Sequence, residues 1–353
     1  MKTKKTTNPL DFIELFERFI AESVTGKRVQ PNGKKIGLGT IANYTDTLKL
    51  LKKFSEKYKF LLRIRPVKRL NARELIVEKN YWKKFYNRFT GYLYDDCGYY
   101  DNYMGSSVKN IRTFFSYLNK DKNIDTGQFY KQFYVRNEDI SIFPLMPEEL
   151  NFLIFNKSFE DALSKRLKEA KDFIVFGCTV ALRFSDLNAL KKNNIRKINA
   201  GYFMEVRSIK TNTETLVKLP QYAVDIINRY KARKKLLPQF NISNINKYIK
   251  ELTEKAGFTQ TVLVTRHRRG KPVPQRGRKM KELRFCDVVS SHTMRRTAIT
   301  TMLSLGVHEQ LVRKISGHTP NSKEFYRYVS WSQTLQDRST EEMFAKLEQK
   351  KLK

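Results

Sequence analysis

Ser291-His292-Thr293-Met294-Arg295-Arg296 stands near the C-terminus, and the reading of this chain turns on it. Ser290 or Ser291 can cap a helix that starts here. His292 and Arg295, three residues apart, then leave its first turn from one face. Ile299, Met302 and Leu303 fill the apolar side, and Gly306 ends the helix as a C-cap glycine does. A second short helix, Glu309 to Ile315, runs into Ser316-Gly317-His318, and Tyr326 and Tyr328 follow within ten residues. Far upstream, Leu182-Arg183-Phe184-Ser185-Asp186 supplies another guanidinium. Two guanidiniums, two imidazoles and a phenol make a set suited to covalent attack on a phosphodiester. Guanidinium forks grip non-bridging oxygens in pairs, imidazoles move protons near neutral pH, and a tyrosine can carry a phosphoryl group.

Composition points to the same kind of substrate. The 353 residues hold 69 Lys and Arg against 35 Asp and Glu, a formal net charge of +34. That excess calls for a polyanionic partner, and 40% hydrophobic residues with many aromatics describe a folded binder rather than a basic tail. An anionic membrane is the competing partner. No stretch is long and apolar enough to span a bilayer, and Met1 to Asn8 is polar and basic, without the apolar segment of a signal peptide. Cys97, Cys178 and Cys286 are far apart, form no Cys-x-x-Cys unit, and read as small buried hydrophobes in a reducing, cytoplasmic protein. His267, His292, His308 and His318 show no metal-ligand spacing.

Periodicity gives the organisation. A basic arm, 1–10, precedes a helix that begins at Asp11 with Phe12, Leu15, Phe16, Phe19 and Ile20 on one side. Further helical stripes run over 40–59, 78–93 and 104–119, so residues 11–135 read as an all-helical domain with Lys and Arg outward. Residues 136–147, with Pro144 and Pro147, read as a linker. Pro147-Glu148-Glu149 starts a helix of the second domain, 148–353, because proline and acids suit a helix N-terminus. A helix over about 163–181 leads to Arg183. Tyr202 to Val206 and Thr215 to Leu219 read as two strands around a turn, 208–214. Helices over 221–235 and 243–256 follow. The segment 266–284 holds nine Lys and Arg and one acid, with Gly270, Pro272, Pro274 and Gly277, and reads as a loop or ragged hairpin. The tail, 340–353, is amphipathic. The expected fold is mainly α with a small β-hairpin or sheet.

The segment from Arg183 to Tyr328, about 145 residues, resembles the catalytic domain of the tyrosine recombinase, or phage-type integrase, family. Ala181-Leu182-Arg183-Phe184-Ser185-Asp186-Leu187 is similar to the motif of the first catalytic arginine. Ile209-Lys210-Thr211 is similar to the hairpin segment of the catalytic lysine, with Lys218 a nearby alternative. His292-Thr293-Met294-Arg295 matches His-x-Leu-Arg with Met in the Leu slot, and Leu311 to His318 matches the Leu-Gly-His segment with Ser316 in place of Leu. Phe325-Tyr326-Arg327-Tyr328-Val329 resembles the nucleophile's surroundings and favours Tyr328, with Tyr326 as the alternative. The N-terminal helices resemble the family's core-binding domain by position, helicity and charge.

The resemblance implies roles. Arg183 and Arg295 clamp the scissile phosphate, His318 adds a hydrogen bond to it, His292 assists removal of the tyrosine proton, and Lys210 protonates the departing 5′ oxygen. Tyr328 forms a 3′-phosphotyrosyl link, with no metal or cofactor. Arg266, Arg268, Arg269, Lys271, Arg276, Arg278 and Lys279 are the expected phosphate contacts of the basic loop. The expected partners are double-stranded DNA and further copies of the chain, as a tetramer on DNA, with the tail docked on a neighbouring protomer or packed in cis. A type IB topoisomerase and a non-catalytic DNA-binding regulator are the competing functions.

Overall fold

The computed structural model describes residues 9–68, 70–207, 214–277 and 281–349. The chain forms two compact units. One is Met1–Ile140 with Thr265–Pro274, the other Ser141–Val264 with Gln275–Lys353.

In the first unit a short strand β1 (Leu10–Asp11) opens directly into α1 (Phe12–Thr25). Asp11 caps that helix, its carboxylate accepting the Glu14 N–H at 2.8 Å. α2 (Leu38–Tyr58) and β2 (Arg63–Ile64), which pairs antiparallel with β1, precede α3 (Ala72–Gly91) and α4 (Asp101–Lys120). α3 begins six residues earlier than its aromatic stripe suggests, because Asn71 and Glu74 close a capping box ahead of it. The stripes read from the sequence meet in an aromatic core. Phe12 packs edge-on against Phe114 at 5.0 Å and Trp82 against Phe115 at 4.8 Å. Each buried phenylalanine contributes about 1.5–3 kcal/mol, and each edge-to-face pair about 0.5–1.5 kcal/mol more.

The second unit is built around one helix. α5 (Pro147–Phe155) and α6 (Lys157–Asp161) lead to α7 (Lys165–Val180), where Phe173, Ile174, Val175 and Phe176 are all buried. α8 (Phe184–Ala189) follows, then a three-stranded antiparallel sheet of β3 (Ile195–Ile198), β4 (Gly201–Arg207) and β5 (Glu214–Lys218), in that order. The two strands read from the sequence are β4 and β5, in register Met204 to Val217 and Val206 to Thr215. β3 is an addition. It turns into β4 through Asn199, whose φ of +53° asparagine tolerates. α9 (Gln221–Arg229), α10 (Ile242–Lys255) and β6 (Thr261–Val262) come next.

The chain then leaves for a hairpin of β7 (Thr265–Arg268) and β8 (Lys271–Pro274), which belongs to the first unit. It returns as β9 (Leu283–Arg284), paired with β6. α11 (Phe285–Val288), α12 (Ser291–Ser304), α13 (Glu309–Ser316) and α14 (Lys323–Gln349) complete it. The second unit is therefore not continuous over 148–353, as the sequence suggests. The reason is electrostatic: Glu138, its side chain buried, accepts from Arg266 at 2.6 Å and from the backbone N–H of His267, and Asp101 accepts the backbone N–H groups of Arg269 and Gly270 at 2.8 Å each. Among the described residues no helix is long and apolar enough to cross a membrane.

Candidate active site

Elements of the second unit bring Arg295, His318 and Tyr328 together, with His292 preceding Arg295 on α12 and Arg183 following the Ala181 turn. α7 and α12 approach closely at Gly177, where an added Cβ would lie 2.7 Å from Met294 Sδ and 3.0 Å from a Leu187 methyl. Beyond Gly177, α7 ends at Ala181, which takes a left-handed φ of +55° although it has a side chain. That turn directs its carbonyl to Arg295 Nη1 at 2.9 Å and delivers Arg183 to the start of α8. On α12, Ser290 caps the helix, as expected, and His292 and Arg295 follow on one face.

Arg295 is 4% exposed. Its Nη2 donates to the Ser316 carbonyl and lies 3.4 Å from His318 Nε2. The guanidinium thus faces backbone oxygens and an imidazole. Burial, and then Arg183, pull its pKa down to about 10, so it stays charged at neutral pH. His318 follows Gly317, whose φ of +63° closes α13, and its N–H returns to the Arg313 carbonyl at 3.0 Å. Burial first, then Arg295, Arg183, Arg313 and His292, hold the His318 imidazole down to about 3. His292 keeps an exposed edge, and its pKa is lowered by desolvation and then by Arg296 and Arg295. The positive charge of Arg183, which stands at the N-cap of α8, adds to the depression of the His292, Arg295 and His318 pKa values. The result is a concentration of positive charge against two neutral imidazoles, an arrangement that receives an anion.

The two tyrosines point apart. Tyr328 is 5% exposed, in a small core with Phe325, Ile299 and Val312, and its ring lies 5.8 Å from the His318 ring. Tyr326 is 53% exposed and stacks under Arg313 at 4.8 Å. α14 is one helix through Gln349, so the described part of the tail continues the tyrosine-bearing helix. Ahead of that tail, α14 packs along α12, with Ser332 Oγ 3.3 Å from Ser304 Oγ and Gln336 bonded to the Leu303 carbonyl.

Lys210 lies outside the described residues, as do Arg278 and Lys279. Lys218 is exposed on β5. Three residues of the expected phosphate-tracking loop have partners within the first unit. Arg266 is held by Glu138 and stacks on Tyr100 at 4.3 Å, Arg268 donates to the Tyr94 carbonyl, and Arg269 pairs with Asp95 at 2.6 Å. Lys271 is exposed, and Arg276 stands 3.8 Å from Glu282. A groove of about 800 Å³ in the first unit is lined by Lys109, Arg112, Ser116 and Lys120 of α4 and by Lys131.

Arg313 is a residue the sequence reading missed. Its guanidinium stacks on Phe325 at 4.1 Å and donates to Glu309 and to the carbonyls of Thr319 and Pro320, tying the Gly-His turn to the start of α14. In the sequence it is one of 69 Lys and Arg with nothing to set it apart.

No family model matches the sequence, and no curated protein matches it. Solved structures do. The chain is similar to the XerH site-specific recombinase bound to palindromic difH substrate in a post-cleavage complex, with a TM-score of 0.60 at 14% identity over 93% of this chain and 95% of that one. It is similar to a lambda integrase dimer bound to a COC′ core site, at 0.60 and 11% over 91% and 95%. It is also similar to the Tn1549 transposon integrase in complex with circular intermediate DNA, at 0.55 and 14% over 90% and 95%. With a buried α7 packed against α10 and α12, small antiparallel sheets, and arginines, histidines and a tyrosine carried near the ends of α7, α12, α13 and α14, the chain has the fold of the tyrosine recombinases.

Proposed function

We propose that this protein is a site-specific DNA recombinase that cleaves and rejoins strands through a 3′-phosphotyrosyl intermediate. The observation that carries this reading is Arg295: a buried guanidinium facing carbonyl oxygens and an imidazole, with Arg183, His292 and Tyr328 around it. Such a site is preorganised for a phosphodiester whose negative charge grows in the transition state. Arg183 and Arg295 bind the non-bridging oxygens. Tyr328 Oη attacks phosphorus as its proton passes to His292, and the bond to the 5′ oxygen breaks. The 5′ oxygen takes a proton from Lys210 and leaves as a hydroxyl, and the reverse steps rejoin the strand.

The helical unit, residues 11–135, grips double-stranded DNA. Its groove along α4, with Lys109, Arg112, Lys120 and Lys131, supplies phosphate contacts, and Lys271 and Arg276 add others. Four protomers join two DNA sites, as the net charge of +34 and the tetrameric assembly of lambda integrase on a Holliday junction support. The protein serves a mobile element and works in the cytoplasm.

The test begins with DNA recovered by cross-linking to the protein and sequencing. A duplex of that sequence, nicked beside the cleavage point, traps a covalent adduct with wild type. Tyr328→Phe forms none, and Tyr326→Phe forms it at near the wild-type rate. An adduct with Tyr328→Phe overturns the nucleophile, and no adduct with wild type overturns the enzyme. Recombination between two marked sites separates strand exchange from relaxation alone.

A further inference from the structure

The residue before Gly317-His318 is Ser316, the last of α13, and it is 2% exposed. Its hydroxyl has three neighbours: the Val312 carbonyl at 2.6 Å, the Arg313 carbonyl at 3.3 Å and His318 Nδ1 at 2.8 Å. A hydroxyl has one proton, and a carbonyl only accepts. The proton therefore goes to Val312, and the oxygen is left with lone pairs toward His318. A bare Nδ1 at 2.8 Å would set lone pair against lone pair, so Nδ1 carries a hydrogen and donates it to Ser316. A neutral imidazole has one N–H, and Nε2 is then bare.

The ring has little freedom to choose otherwise. Its backbone is fixed by the left-handed Gly317 and by the bond to the Arg313 carbonyl. Phe325 meets it edge-on at 5.3 Å and Tyr328 lies tilted at 5.8 Å. Arg295 of α12 straddles the ring nitrogens, at 3.4 Å from Nε2 and 3.5 Å from Nδ1.

We propose that Ser316 is a positioning residue that fixes His318 as the Nδ1–H tautomer, leaving the Nε2 lone pair toward the phosphate site. In the resting protein His318 has no Nε2 proton to offer a phosphate oxygen. It enters the reaction as a proton acceptor at Nε2, and becomes a donor there only after taking a proton from solvent, when a bound phosphodiester offsets the charges of Arg183, Arg295 and Arg313. Those cations, with His292, keep the second nitrogen unprotonated until then, which agrees with the low pKa of this imidazole. This last step rests on the recombinase reading, whereas the tautomer does not.

The tautomer is read directly by two-bond proton–nitrogen NMR correlation on the full chain with ¹⁵N-histidine. Four histidines are present, and the His318 signals are identified by their loss in His318→Asn. At neutral pH wild type is expected to give a protonated Nδ1 and a bare Nε2. Ser316→Ala shifts His318 toward the Nε2–H form, and Ser316→Thr, which keeps the hydroxyl, retains the wild-type pattern. A wild-type Nε2–H pattern overturns the proposal, as does a pattern unchanged in Ser316→Ala. Should Ser316→Ala fail to fold, wild type and Ser316→Thr still decide it. On the nicked duplex, Ser316→Ala is expected to slow adduct formation about 10-fold at unchanged DNA affinity, with Ser316→Thr restoring it. Absence of any wild-type adduct would sink the recombinase reading and leave the NMR result standing.

Discussion

Arg295 shows how much a single side chain is asked to do. Its fork holds the Ala181 and Ser316 carbonyls while it faces the site, so charge and geometry come from the same planar group. Lysine keeps the charge and loses the fork. Arg295→Lys is expected to lower single-turnover cleavage about 10²–10³-fold, with DNA affinity near that of wild type in a binding titration. The imidazole beside it gives a pH signature. His318 has a folded-state pKa of about 3, below its ordinary 6.5, so between these values the unfolded chain binds more protons than the folded one. The stability this neutral imidazole contributes is present above pH 6.5 and is lost as pH falls below it. Denaturant titrations at pH 6.5 and pH 5 should show wild type losing more stability than His318→Asn, at up to about 1.4 kcal/mol per pH unit for one proton. Equal slopes would mean that His318 titrates normally.

At the level of elements, the site depends on how closely α7 and α12 approach. Gly177→Ala puts a methyl against Met294 and Leu187 and forces the helices apart. Overpacking of this kind costs about 1–3 kcal/mol, and here it also separates Ala181 from Arg295. A lower melting temperature and a loss of adduct beyond what the stability change explains are the expected pair of results. The elements differ in how much of them the sequence revealed. α1, α2 and α4 were legible because their apolar residues recur at helical spacing, and α12 because Ser290, His292 and Gly306 mark its cap, face and end. β3 was not, since Ile195-Arg196-Lys197-Ile198 is mostly exposed and carries no alternation to read. At the site, Arg183, His292, Arg295 and His318 stood out by residue type and order. Arg313 and Ser316 did not, because what distinguishes them is burial and hydrogen bonding across a turn, which spacing alone does not encode. The choice between Tyr326 and Tyr328 stayed open on spacing, while their exposures differ tenfold in the folded chain.

Over the whole molecule, the charge of +34 sets the conditions under which any of this chemistry can be observed. Binding that releases counterions weakens steeply with salt, with a slope of about −0.9 per phosphate contacted. Removing Arg112 and Lys120 from the α4 groove by Arg112→Ala and Lys120→Ala should make the slope of log affinity against log salt shallower by about 2. A slope identical to that of wild type would take the groove out of the interface. The basic loop illustrates why charge counted along a sequence overstates what faces a ligand. Arg266 and Arg269 are matched by Glu138 and Asp95, acids more than a hundred residues away.

The chain passes between its two units three times, after Ile140, after Val264 and after Pro274. A cut at residue 140 is therefore no clean dissection. The N-terminal piece would be left with Glu138 buried without its guanidinium and Asp101 without the two amides it holds, a defect of the size that stranded buried charges produce, about 3–5 kcal/mol. Ten residues borrowed from far along the polypeptide, Thr265–Pro274, complete the helical half, so anyone splitting this protein into working parts has to carry that hairpin across the cut.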